Sequence, residues 1–265
     1  MNQSTLGRHF SRIGARLKLR DIPGLLSRLS FRIDVVRDRN GECFEINCGG
    51  RSSEDIQILD VQPKLRHLLL MFNQTNGKHK FLCGHDERHW FVAAVPEKAA
   101  ASSVRTAFDA LMPSMIRTKL GQSQVKPKNR NRRRNSVFVR QGEWFFYPSP
   151  EVSFKLEMTL KHEPLRRGSG KPHYCDELVR FGGKTVYVCR EYPNGITEEE
   201  YQKLIFDRPQ MQNRRWRVFS RDPQVYVRGN VRHSDHKTIH LAGWHRVLMN
   251  TETQASAMRH VAFLD

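Results

Sequence analysis

The sequence predicts an α+β amino-terminal domain followed by a mainly-β carboxy-terminal domain, barrel- or sandwich-like. Three observations predict it. The first half mixes hairpin signals with helix-period stretches. The second half is a series of short strand-like runs parted by Gly, Pro and Asp-Pro turns. Between them lies a basic segment without a single acid. The expected organisation is residues 1–120 as the first domain with a basic amino-terminal helix, 121–136 as an Arg-rich linker, and 137–265 as a β-rich domain containing histidines.

In chain order, Leu6, Phe10, Ile13 and Leu17 follow a helical stripe, with Arg8, Arg12, Arg16, Lys18 and Arg20 on the remainder. Such a helix would either dock on its own domain or lie on a nucleic-acid backbone or membrane surface. Two alternating runs flank Asn40-Gly41, a hairpin signal. "DIQILDV" reads as a strand, and "LRHLLLMF" is ambiguous between strand and helix. "KHKFLCGHDERHWFVAAVP" reads as a second hairpin. Val104, Phe108 and Leu111 recur at helical spacing, with Pro113 near the end of that helix. From Arg117 to Arg140 there are nine Lys or Arg and no Asp or Glu. Beyond it, "SVFVRQGEWFFYPSP" predicts two strands about a Gln-Gly turn. "VSFKLEMTL", "KTVYVCREY", "RWRVFS", "QVYVRGNVRH" and "KTIHLAGWHRVLMN" predict further strands. "TEEEYQKLI" predicts one helix, capped by Thr197 with Glu200 closing a capping box.

The chain of 265 residues carries a formal net charge of +18. So large an excess points to a polyanionic neighbour, and DNA or RNA is the expected partner. Five cysteines without a CxxC pair, no apolar signal segment and no run long enough to span a bilayer predict a cytoplasmic protein with reduced thiols. Oligomeric state is not legible.

Four of the twelve histidines fall in "VRHSDHKTIHLAGWH", Val231 to His245. With His162 and His173 they form the main candidate set for metal ligation, since neutral imidazole suits a divalent metal such as zinc. Strand parity sorts them. A two-residue turn at Ser234-Asp235 would set Val227 and Val231 on the face opposite Ile239 and Leu241. A three- or five-residue loop puts all four on one face. The second is preferred. It sets His233 at the rim of the inward face and His236 in the loop, and turns His240 outward. His173, His233 and His236 are then the candidate ligands, with Asp235 able to orient an imidazole or act as a base. His245 stays unassigned.

A second cluster, "CGHDERHW", places Cys83, His85, Asp86, Glu87 and His89 within seven residues. His85 and Asp86 are acid/base candidates there; an ordinary polar turn is the alternative. If functional, the cluster would face the other histidines across the domain interface. "HEPLRRGSGKPH" is a basic Gly-containing loop without P-loop spacing. Candidate nucleic-acid contacts are Lys126, Lys128, Arg130, Arg132, Arg133, Arg134, Arg166 and Arg167. Trp216 would be a stacking residue beside arginines.

"RQGEWFF", "GSGKPH" and "VRHSDHKTIHLAGWHRV" together resemble a poorly characterised group of small bacterial and phage β-rich proteins. That group carries RQGD, G-H-x-H and H-x-x-H elements and has no established activity. The matching positions are Arg140, Gln141, Gly142, Gly170, His173, His233 and His236. Glu143 replaces the Asp, Lys171 stands in place of one His, and Trp244 does not align clearly with the group's Tyr. The resemblance spans about residues 137–252 and implies a domain boundary and a histidine site, without naming a reaction.

The leading expectation is a basic protein that binds nucleic acid through the Arg-rich segment and the β domain. A metal-dependent hydrolase or nuclease using the β-domain histidines is the alternative. A third is a non-catalytic interaction module of a mobile-element or phage-related locus.

Overall fold

The computed structural model describes residues 3–20, 31–48, 55–74, 77–167 and 170–254. Helix α1 (Gln3–Arg12) buries Leu6 and Phe10 completely, so its apolar stripe docks on its own domain. The stripe does not continue to Leu17. Gly14 takes φ +78°, a left-handed conformation that ends a helix cheaply in glycine, and the chain turns into strand β1 (Leu17–Arg20). β1 runs parallel to β3 (Gly41–Asn47), which forms the expected hairpin with β2 (Arg32–Asp38). Arg16 closes this corner with two bonds to Asp38 at 2.8 and 3.1 Å.

β4 (Ile56–Gln62), β5 (His67–Gln74), β6 (Gly77–Asp86) and β7 (His89–Val95) form an antiparallel four-stranded sheet. Its faces explain the ambiguous run in β5. Leu68, Leu70 and Phe72 face α1 and the three-stranded sheet, whereas Leu69 meets Val104, Ala107 and Leu111 of α2 (Val104–Leu111). A strand covered on both sides has no need of polar alternation. Ser103 caps α2, and Asp60 accepts a further bond from Val104 N.

Pro113 starts a helix that composition concealed, α3 (Ser114–Gln122). Its Ile116 and Leu120 pack on Phe138 and Phe145 of the second half. The boundary expected at residue 120 therefore falls inside a helix whose core crosses it. The Arg-rich segment that follows is tied down. Arg133 pairs with Asp86 and Glu87, Arg134 donates to the His240 carbonyl, and Asn135 bonds the amides of Val137 and Phe138.

The second half is built on an open antiparallel sheet in the order β10-β11-β15-β16-β9-β8. Its strands are β8 (Val139–Gln141), β9 (Trp144–Pro148), β10 (Leu160–Leu165), β11 (His173–Phe181), β15 (Gln224–Arg232) and β16 (Ile239–Met249). "VSFKLEMTL" is a strand only from Leu160 on, after a 3₁₀ turn at Leu156–Met158. The sheet curls strongly. Gln141 on β8 hydrogen-bonds His173 on β11 at 2.9 Å, although four strand steps separate them, about 19 Å in a flat sheet. Among the described residues it does not close: β8 and β10 are its edges, and none of the four sheets is a barrel.

A smaller sheet, β13-β12-β14, carries β12 (Lys184–Val188), β13 (Ile196–Thr197) and β14 (Arg217–Arg221). α4 (Glu198–Asp207) adjoins it, with both halves of the Thr197–Glu200 capping box formed. No helix among the described residues is long and apolar enough to cross a membrane. All five cysteines are buried.

Candidate metal centre

The loop between β15 and β16 builds the site. Val231 pairs with Ile239, leaving seven residues between them. The count is odd, so Val227, Val231, Ile239 and Leu241 share one core as parity demands, though the loop is longer than the three or five residues expected. Gln141 holds the loop, its Nε2 donating to the carbonyls of Lys237 (2.7 Å) and Val231 (3.3 Å). Those two bonds orient the amide, so its Oε1 faces His173 and accepts from Nδ1–H at 2.9 Å. The other ring nitrogen, Nε2, is left with its lone pair.

His173 opens β11 and is 1% exposed. His233 follows the last residue of β15 and stacks on it, ring centroids 4.1 Å apart. His236, within the loop, lies 4.8 Å from His233 and 5.7 Å from His173. One ring nitrogen from each lies within 4.8 Å of the others. Gly142 leaves the room: a Cβ there would sit 3.0 Å from His236 Nε2 and 3.5 Å from His173 Cε1. His240 and His245 stay out, bonded to Asn230 Oδ1 and the Gly243 carbonyl.

Burial sets the charge state. It pushes His173 down to about 3, helped by the nearby His233 and His236. His233 and His236 are lowered by the same cause. Three stacked imidazoles cannot all be protonated, and the neutral form is the one that ligates. His233 is the most committed. Its Nδ1 accepts from Asp235 N at 3.1 Å, and the Asp235 charge, then a bond to the Lys171 carbonyl, pull its pKa part of the way back. His236 Nδ1 is buried with no hydrogen-bond partner among the described residues, 3.9 Å from Glu87 Oε2. Glu143 Oε2 stands 3.9 Å from His173 Nε2, and burial raises its carboxyl.

The β6–β7 turn does meet this loop. Glu87 accepts from Lys237 N at 2.6 Å, Arg88 reaches the Ser234 carbonyl, and His89 Nε2 lies 3.8 Å from Asp235 Oδ1. His89 also bonds Glu42 at 2.5 Å through Nδ1. The acid/base pair expected within the turn is not made. Asp86 is paired with Arg133, and His85 packs edge-on against Trp90. Cys83 is in the core, its thiol pushed up by burial. Asp235 pairs with Lys171 at 3.1 Å.

His236, Gly142 and Glu143 form part of the wall of a cavity of about 580 Å³ between the two halves, walled elsewhere by aromatic side chains and Arg140. Gln141, Gly142 and the three histidines touch, while Arg140 and Gly170 line the same cavity. Neither Gln141 nor Glu143 has a local signal for a role; both are delivered by the curl of the sheet.

The expected nucleic-acid contacts divide. Lys126, Lys128, Arg132, Arg134 and Arg166 are exposed and Arg130 half-buried. Arg133 and Arg167 are committed to carboxylates, Arg167 to Glu252 at 2.8 Å. Trp216 is half-buried. It stacks with Tyr192, meets Tyr201 edge-on and donates its indole N–H to the Met211 carbonyl. Comparison of the chain with models of protein families, with curated proteins and with solved structures finds no match.

Proposed function

We propose that this chain is a hydrolase dependent on one divalent metal, zinc-like in its preferences, held by His173, His233 and His236. The observation that carries the proposal is the convergence of three neutral imidazoles, from a strand start, a strand end and a loop, with ring nitrogens within 4.8 Å of one another. Three protein ligands leave a coordination position open, and an ion so held acidifies a water there. Glu143, its carboxyl raised by burial beside His173, suits the role of proton acceptor. Gln141 fixes the His173 tautomer. His233 must release one present hydrogen bond to ligate, so metal uptake is coupled to a turn of that ring. The test is elemental analysis of protein purified without chelators, with hydrolysis of generic ester and phosphodiester substrates. About one equivalent of metal, lost in His173→Ala together with activity, is expected. Metal far below one equivalent, with no change in Tm on adding zinc, defeats the proposal.

A second reading, nucleic-acid binding, is favoured by a different place. Lys126, Lys128, Arg132 and Arg134 surround one shallow groove whose lining contains no carboxylate. Four cations on a phosphate backbone predict that single-strand affinity falls with a log–log salt slope of about −3. Fluorescence anisotropy with a labelled oligonucleotide measures it. A flat salt response, or one unchanged when all four are replaced by Ala, rejects this reading.

A further inference from the structure

We infer that the cavity between the two halves binds a small oxyanion, phosphate or carboxylate, joined to a flat apolar body, with Arg140 as its recognition residue. The argument starts from what Arg140 lacks. Its half-buried guanidinium makes no hydrogen bond or ion pair with any described residue and lies near the Phe108 ring, Cζ 5.7 Å from the centroid. The other arginine of the cavity wall, Arg167, is matched by Glu252. The carboxylates whose charge Arg140 feels, Asp86 and Glu87, are held by Arg133. A cation drawn partly out of water and left unpaired is costly, and a partner supplied from outside lowers that cost. Guanidinium presents a planar fork that fits an oxyanion in two bonds.

The rest of the cavity describes the rest of the ligand. Phe91, Phe108, Phe138, Phe145 and Met112 make its wall largely apolar. A volume of about 580 Å³ lies in the range of small-molecule sites, roughly 300–1,000 Å³. Acids share the wall without cancelling Arg140. Glu252 pairs with Arg167, Asp86 with Arg133 and Asp235 with Lys171, and Glu143 makes no ion pair with Arg140. Because His236 and Glu143 line the same space, a bound oxyanion would lie beside the histidine cluster. The inference therefore deepens the hydrolase reading and rests on it for the fate of the ligand, though not for its binding.

The test is calorimetric titration of the chelator-treated full chain with phenyl phosphate, benzoate, inorganic phosphate and neutral benzyl alcohol. Phenyl phosphate or benzoate should bind at least about tenfold more tightly than benzyl alcohol, in line with a charge-assisted hydrogen bond. Whichever is tighter identifies the oxyanion, and inorganic phosphate alone should bind more weakly. Arg140→Met should abolish the preference. Should that variant not fold, Arg140→Lys, which keeps the charge and loses the fork, should reduce it. Equal binding of the neutral compound, no binding of either aromatic anion, or a preference that survives both substitutions overturns the inference. His173→Ala separates the two readings, because it should lose metal and keep anion binding. Anion binding in a chain that never holds metal leaves this inference standing and the hydrolase reading fallen; metal without anion preference does the reverse.

Discussion

His67 and His173 have much in common. Each opens a strand, each is buried, and each donates from Nδ1 to an oxygen, the Leu65 carbonyl at 2.5 Å and Gln141 Oε1 at 2.9 Å. Burial lowers both, to about 4 and about 3. Yet His67 is wedged among Phe91, Phe108 and its cross-strand partner Gly84, with no imidazole stacked on it among the described residues, whereas His173 stacks on His233 and His236. A depressed pKa reports burial. What marks a site is the company its free nitrogen keeps.

The comparison breaks most sharply at metal uptake. His173→Ala should lose far more metal affinity than the roughly 10–100-fold typical of removing an outer-shell partner, whereas His67→Ala, if folded, should retain the metal. Zinc titration against a competing chelator measures both. Equal effects would erase the distinction between the two histidines.

Next comes acid. The folded chain holds His67 below its unfolded value of 6.5, so the unfolded chain takes up the proton first as pH falls. The stability contributed by the neutral ring is fully present above pH 6.5. It is lost as pH falls toward 4, a loss on the order of 3 kcal/mol for this residue. His173 adds to the same trend and extends it toward 3. Metal-free protein should therefore show a steep drop in Tm between pH 6.5 and 4, flattened in His67→Phe. A flat profile in the native chain would contradict the burial of both rings.

Gly84→Ala tests the structural member alone. A Cβ there would lie 2.1 Å from His67 Cδ2, so the ring must leave its aromatic nest. Overpacking of this kind costs about 1–3 kcal/mol, which denaturant unfolding would detect. Metal content should not change. A neutral substitution would mean that His67 is not held against this strand.

Much of the fold was legible where one local rule decides. The odd loop parity followed from Val227, Val231, Ile239 and Leu241, and the α4 cap from Thr197 and Glu200. Parity set His233 at the inward rim with His236 in the loop; His173 was named as their outside partner without a predicted strand to place it. What stayed hidden depended on distant partners. β11 was missed because Asp176 and Glu177 break its alternation beside a bulge. Both acids are matched by arginines of β15, Arg232 and Arg228. α3 was hidden by basic composition, since Ile116 and Leu120 acquire meaning only against Phe138 and Phe145. Arg133 read as a nucleic-acid contact because the acids that claim it are remote in sequence.

Gln141 gives the finest test, because it touches the cluster without supplying a ligand nitrogen. It spans the curl of the sheet, accepting from His173 and donating to both ends of the histidine loop. Gln141→Ala removes the acceptor that fixes the His173 tautomer and leaves the Val231 and Lys237 carbonyls a partner short. Metal affinity should fall about 10–100-fold, as for other second partners of ligating histidines. Gln141→Glu sharpens the point. It keeps the acceptor for His173 and loses the N–H donors to Lys237 and Val231, so it should retain more affinity than Ala while still loosening the loop. If Ala and Glu weaken metal binding equally, Gln141 acts only by closing the curled sheet. If neither does, the tautomer of His173 is set elsewhere and the contrast with His67 rests on the neighbouring imidazoles alone.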